Sequence, residues 1–341
     1  MVDATANARQ HRRIARLASD GLMRSTVLVH SGCRQVLQEL RPYLVDPGQS
    51  GQLFDLLRTL REQTGPVNVS QVPQLSPLRY PGGKTWLVPE VKRWLKSLDM
   101  RPALFIEPFA GGAITGLSVA AESLAGQTIL AELDPSVAAL WVVLIHGSDI
   151  DAESLITKVL EFQMTHEQVT ATLAGYAASQ PQRAFTTILK NRVNRGGILA
   201  PGASMMKSGE NGKGLSSRWY PQTLVNRMRG IRAIRHRLQF IEGDAFSVIK
   251  TYRHRKTAAW FIDPPYTAGG KKAGSRLYLC NEIDHERLFT QMAACAGPVL
   301  MTYDDAPEVR SLAHRSGFSI REVPMKTTHH EVKNELLLVK P

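Results

Sequence analysis

The sequence predicts an α/β protein: a doubly wound, mostly parallel sheet carrying a helical and loop insertion and preceded by a small appendage. Three observations predict it. Short, mostly apolar strand-like runs at 103–106, 129–131, 239–241, 258–262 and 299–303 alternate with stretches of helical apolar spacing, which is the order of a parallel sheet. The first run ends in Glu107-Pro108-Phe109-Ala110-Gly111-Gly112-Ala113 before a small-residue helix. Strand, glycine turn and helix form the ligand-binding corner of such sheets, outside the strand's carboxyl end. The run at 258–262 stops on Asp263-Pro264-Pro265-Tyr266, an acid, two residues without backbone donors and an aromatic.

Composition narrows the function. A chain of 341 residues that is 43% hydrophobic can bury one large domain with an appendage. The formal charge of +12 suits a polyanionic partner. No apolar run reaches membrane-span length, and the first sixteen residues lack the apolar core of a signal peptide, so a cytoplasmic protein is expected. Cys33, Cys280 and Cys295 show no CxxC spacing, which argues against disulfides and structural zinc; no metal site is expected. His329 and His330 are neighbours on an expected strand and point to opposite faces. No HExxH, GxSxG or P-loop pattern occurs, which removes the commoner hydrolase and NTPase readings.

In chain order, residues 1–75 form the appendage. A basic stretch leads to a short alternating strand at 25–29, a helix from about Ser31, a turn at Asp46-Pro47-Gly48, and a second helix carrying Leu53 to Leu60. This pattern resembles the ribbon-helix-helix DNA-binding module, which dimerises by pairing strands. A docking arm for the main domain fits it equally. Residues 65–76 read as the linker. The main domain opens at Tyr80-Pro81-Gly82-Gly83-Lys84, where paired glycines allow close approach of a ligand to the backbone. The run at 129–131 ends at Glu132, the place after a glycine turn where such folds hold a ribose diol.

Residues 150–238 are the insertion. Its first part has helical spacing. From Arg183 to Arg237 twelve basic residues face one acid, Glu210, whereas a merely solvated face mixes signs; the excess points to nucleic acid. Glycines between Gly196 and Gly214 suit a loop that follows a groove. Beyond it, residues 239–341 return to the sheet and hold the acceptor-only corner. There a planar ring bearing an exocyclic amine can be gripped by the Asp263 carboxylate and the Pro264 carbonyl and stacked on Tyr266.

Tyr80 to Lys84, then Glu107 to Gly111, then Asp263 to Tyr266 occur in the order of one family. Over residues 77–341 the chain resembles the Dam-like, alpha-group N6-adenine DNA methyltransferases. The resemblance implies the seven-stranded methyltransferase sheet, S-adenosylmethionine as cofactor, and double-stranded DNA as partner. It also implies methylation of a flipped-out adenine, as in restriction-modification systems, with residues 76–149 as the cofactor-binding part and 239–341 as the catalytic part. Cofactor contacts are then expected at Tyr80, Lys84, Glu107, Phe109, Gly111, Glu132, Asp244 and Asp263. The resemblance implies catalytic roles for Asp263, Pro264, Pro265 and Tyr266. DNA contacts are expected at Asn191, Arg192, Arg195, Lys207, Lys213 and Arg218. The catalytic domain is expected to be monomeric, with dimerisation open to the appendage. The chain departs from the family at Glu132, where Asp is common, and at Ala113, where a second glycine is common. Methylation of RNA adenine or DNA cytosine N4, and a non-catalytic DNA-binding regulator, are the competing readings. Asp before Pro-Pro-Tyr leans to adenine, and the basic insertion leans to duplex DNA.

Overall fold

The computed structural model describes residues 34–46, 69, 72–80, 83–207, 209, 212–266, 279–280, 282–326 and 332–340. The chain divides into two compact units, Met1–Pro66 and Val67–Pro341. In the first unit the described part is helix α1, Arg34–Val45, close to the first expected helix. The expected strand at 25–29, the second helix and His329-His330 lie outside the described residues. None of the described helices is long and apolar enough to cross a membrane.

The second unit is built on a seven-stranded sheet. Its strands are β1 Leu104–Glu107, β2 Gln127–Glu132, β3 Leu238–Glu242, β4 Ala258–Ile262, β5 Val299–Asp304, β6 Ser319–Lys326 and β7 Val332–Lys340. They lie in the order β3-β2-β1-β4-β5-β7-β6. The first five run parallel, and β7 runs antiparallel between β5 and β6. This is the doubly wound, mostly parallel sheet expected from the sequence.

Side-chain alternation explains why the sheet is covered on both faces. Phe105, Ala259, Phe261, Leu300 and Leu337 pack with Val91, Trp94 and Leu95 of α2, Val88–Ser97. The alternate residues Ile106, Trp260, Ile262 and Met301 pack with α9 (Ala245–Tyr252), α10 (His285–Ala293) and α11 (Pro307–Arg315). Both sets are buried, which is why these strands read as continuous apolar runs rather than as alternating ones.

The remaining helices are α3 (Ile114–Ala121), α4 (Pro135–Trp141), α5 (Asp149–Glu161), α6 (His166–Ala174), α7 (Gln180–Val193) and α8 (Pro221–Ile234). Ser148 with Asp151, and Ser179 with Gln182, close capping boxes that start α5 and α7. Together with a π-helical turn, Val142–His146, helices α4, α5, α7 and α8 share one core centred on Trp141, Phe185, Ile188 and Met228. The helices of the insertion are thus a layer continuous with the core of the domain.

Two expectations change here. Residues 72–76 are not a linker: Val72 is buried with Val88 and Ile114, Ser76 is buried, and Leu75 packs on the core of the insertion. Nor does the whole basic run face solvent. Arg227 donates to the Ser76 carbonyl (2.8 Å), Arg232 to the Gly147 carbonyl (2.7 Å) and Asp149, and Arg237 to the Ala120 carbonyl (3.3 Å). These guanidiniums tie α8 and the segment after it to neighbouring elements, because a long side chain with five donors reaches carbonyls that helix ends and turns leave open.

Candidate active site

Chain order reverses between β1 and β4: the chain goes from β1 outward through β2 and β3, then returns to place β4 on β1's other side. A crevice opens outside the carboxyl ends of strands at such a switch point. Here it is a cavity of about 900 Å³. Tyr80, Lys84, Glu107, Phe109, Gly111, Glu132, Asp244, Asp263, Pro264, Pro265 and Tyr266 all line it, so residues spread over more than half the chain meet in one space.

Asp263 follows directly on the buried strand β4. Its Oδ1 accepts from Thr302 Oγ1 (2.7 Å) and Tyr266 Oη (3.0 Å) and lies 3.1 Å from Lys84 Nζ. Thr302 is a fully buried residue of β5. Glu335, on β7, has its Oε2 3.4 Å from Tyr266 Oη and 3.9 Å from Lys84 Nζ. Burial pushes the Glu335 carboxyl up to about 7, against the pull of Lys84 and with the push of Asp263. Burial, then Asp263 and Glu335, hold the Tyr266 hydroxyl well above its ordinary value, so it stays a donor.

Tyr266 is arranged differently from expectation. Its ring stacks on Tyr303 (centroids 5.7 Å apart, planes at 20°), and Lys84 Nζ sits 4.8 Å from its centroid. The ring is thus already engaged by protein groups. The cause is its hydroxyl, which Asp263 at the end of β4 and Glu335 on β7 hold.

The glycine turn after β1 is braced from below. Glu132 Oε2 accepts the Gly111 N–H (2.8 Å), and its Oε1 accepts the Leu133 and Asp134 N–H groups (both 2.9 Å). The carboxylate expected for a ribose therefore already holds the turn; Oε1 is used by two donors, and only Oε2 keeps a further lone-pair site. Burial raises the Glu132 pKa, opposed by those backbone donors. At Gly111, with φ +47°, a Cβ would come within 2.5 Å of the Tyr80 ring. Glu107 accepts the Gly116 N–H of α3 (2.7 Å), and burial holds its pKa well above the usual carboxylate range. Asp244 caps α9 by accepting the Ser247 N–H (3.2 Å). Ala113 takes a left-handed backbone, φ 52° and ψ 22°, where a glycine would sit without its Cβ strain.

The expected DNA contacts divide. Asn191 is 1% exposed. It accepts from the Arg79 N–H (2.8 Å) and donates to the carbonyls of Arg79 (3.0 Å) and Gly197 (2.7 Å). It is a clamp between the opening of the domain and the glycine loop, not a surface contact. Arg192 is buried and Arg218 half-buried, and both line the cavity. Arg195, Lys207 and Lys213 are exposed and lie off the cavity wall.

Thr302 and Glu335 were not singled out from the sequence. Their signal was present: a hydroxyl inside the apolar run Val299-Leu300-Met301-Thr302-Tyr303, and an acid opening Leu336-Leu337-Leu338-Val339. Which strands flank β4 decides their importance, and only the tertiary structure places β5 and β7.

No protein-family model and no curated protein matches this chain. Among solved structures it is similar to a "putative RNA methyltransferase" from Pyrococcus horikoshii, with 10% identity and a TM-score of 0.36, over 82% of this chain and 97% of that one. A precorrin-6y C5,15-methyltransferase from Geobacter metallireducens is similar at 9% identity and a TM-score of 0.31, over 73% and 86%. An rRNA methyltransferase from Streptomyces viridochromogenes is similar at 12% and 0.35, over 78% and 89%. Likenesses this loose identify neither a substrate nor a cofactor.

Proposed function

We propose that this chain is a Dam-like adenine methyltransferase that transfers a methyl group from S-adenosylmethionine to the N6 amine of a flipped-out adenine in double-stranded DNA. The observation that carries the reading is the acceptor corner Asp263-Pro264-Pro265 at the end of β4, opening into the same cavity as the glycine turn at the end of β1. The cavity's chemistry fits the cofactor. Side-chain and backbone acceptors from Glu132 and Asp244 suit hydroxyls and a ring amine, and the Phe109 face and nearby carboxyls suit a sulfonium. At Gly111 the Tyr80 ring occupies the space a Cβ would need, so backbone rather than side chain meets whatever lies beside that ring. When bound, the cofactor supplies an electrophilic methyl group.

The chain's own residues do the rest. Adenine N6 is a poor nucleophile because its lone pair is delocalised into the ring. Asp263 Oδ and the Pro264 carbonyl accept its two N–H groups, favouring a pyramidal nitrogen whose lone pair is directed away from both. Thr302, Tyr266 and Lys84 fix Asp263 beforehand, so these acceptors need no reorganisation as the amine becomes cationic. Asp263 need not be a strong base, since the proton leaves after the nitrogen carries positive charge. A base stacked in a duplex cannot enter this corner, so it must flip out.

The test is incubation of the full chain with methyl-labelled cofactor and duplex DNA, single-stranded DNA or RNA, followed by nucleoside chromatography. Label in N6-methyladenine from duplex DNA is expected, and Asp263→Ala should abolish it while leaving DNA affinity within a few-fold. Label only in RNA or in N4-methylcytosine would overturn the substrate, and retained turnover by Asp263→Ala would overturn the mechanism.

A further inference from the structure

The cavity gathers four arginines from four parts of the chain. Arg192, on α7, is 6% exposed and donates through Nη2 to the Pro77 carbonyl. Its buried Nε has no hydrogen-bond partner among the described residues. Arg79, from the opening of the domain, Arg218, from the turn before α8, and Arg227, on α8, line the same cavity. Burial first, then Arg227, Arg79 and Arg218, push the Arg192 pKa down to about 9. Among the described residues, the charges that shift this buried cation are those of three other arginines.

Such a group is costly as it stands. A buried guanidinium with an unmet donor carries a desolvation penalty, and like charges around it add repulsion. Both are relieved by an anion with several acceptor oxygens, and the planar fork of arginine matches a phosphate or a carboxylate. The same cavity carries acceptors at Asp263 and the Pro264 carbonyl. A molecule complementary to both groups has one strongly anionic end and one hydrogen-bond-donating ring, which describes a nucleotide.

We propose that Arg79, Arg192, Arg218 and Arg227 form an anion subsite that holds a phosphate group of the nucleotide whose base enters the Asp263 corner. This rests on the reading that a nucleotide base is the substrate. The arginines then do more than attract DNA from a distance: they set where the sugar-phosphate lies relative to the reacting amine.

The experiment uses the full chain and the variants Arg192→Gln and Arg218→Gln; the second, at a half-buried position, remains informative if the first folds poorly. Thermal melting is followed with inorganic phosphate, adenosine 5′-monophosphate and adenosine. Binding of a duplex oligonucleotide is measured at several salt concentrations, and cofactor binding by calorimetry. Phosphate and the monophosphate should raise the wild-type melting temperature more than adenosine does, and the variants should lose that difference. Duplex affinity should fall about tenfold, with the salt slope reduced by about 0.9 for each arginine that touches phosphate. A loss confined to the monophosphate, with duplex binding unchanged, would mark a free nucleotide as the source of the phosphate. Cofactor affinity that falls while phosphate and duplex binding stay intact would overturn the proposal, because the arginines would then hold the cofactor's carboxylate. Unchanged phosphate response in both folded variants would also overturn it, whether or not the chain methylates. Conversely, a wild type that binds phosphate through these arginines but methylates no nucleic acid keeps the anion subsite and sinks the methyltransferase reading.

Discussion

Asp263 has neighbours that matter as much as its own carboxylate. Thr302 donates to it at 2.7 Å from a buried position. Replacing Thr302 by Val keeps the shape and removes that donor, so methyl transfer should slow by about tenfold with little change in cofactor affinity, as expected for one lost hydrogen bond to a charged group. Steady-state kinetics alongside calorimetric titration of the cofactor reads both. Glu335 makes a pH prediction. Its pKa rises from 4.5 in the unfolded chain to about 7 in the folded one, so the folded state holds the proton longer. Stability from this group is complete below about 4.5 and is lost as pH rises through about 7, by roughly 3 kcal/mol if the full shift is expressed. Denaturant unfolding of Glu335→Gln should therefore show a flatter decline across that window than wild type. Parallel slopes would mean that the charge is solvated or compensated by Lys84.

Among the elements, α3 sits in close contact with the sheet. It approaches β1 and β2 so closely that a Cβ on Gly116 would come within 2.4 Å of Leu130 Cδ2 and 2.6 Å of Glu107 Oε2. The same glycine donates its N–H to Glu107, so helix position and carboxylate position are one feature. Gly116→Ala should destabilise the fold by about 1–3 kcal/mol through overpacking. It should also weaken cofactor binding, because Glu107 cannot keep its place while α3 shifts. Chemical denaturation combined with calorimetry checks both effects. A stability loss with full cofactor affinity would detach Glu107 from the cofactor site.

At the scale of the whole molecule, the boundary between the two units falls at Pro66, not at residue 75. Val72, Leu75, Ser76 and Leu78 belong to the core of the second unit, and the carbonyls of Ser76 and Pro77 receive Arg227 and Arg192. Removing residues 1–66 should leave the melting temperature of the second unit within a few degrees. Removing residues 1–75 should lower it clearly, since burial of Val72 and Leu75 is lost and full burial of such side chains is worth about 1.5–3 kcal/mol each. Equal melting temperatures for the two truncations would show that the 72–75 segment adds no net stability. The ribbon-helix-helix reading of the first unit predicts further that the longer chain is a dimer and the truncations are monomers. Light scattering that finds a monomeric full-length chain rejects it.

The apolar runs, the glycine turn at Gly111 and the Asp263-Pro264-Pro265-Tyr266 corner were legible from local pattern. Strand periodicity, proline's missing donor and glycine's access to positive φ are properties of a few consecutive residues. The sheet class followed from the alternation of such runs with helical spacing. What local pattern could not assign was the partner of each polar group. Asn191 and Arg192 read as surface contacts within a basic run, yet the fold turns one into a backbone clamp and buries the other in the cavity wall. Glu132 read as a free acceptor for a ligand, yet three backbone N–H groups reach it first. Thr302 and Glu335 became neighbours of Asp263 only because β5 lies beside β4 and β7 beside β5. Period and composition are written along the chain. Satisfaction of buried donors and acceptors is settled between residues far apart in it, so it is decided when the sheet and the helical layer close around the cavity.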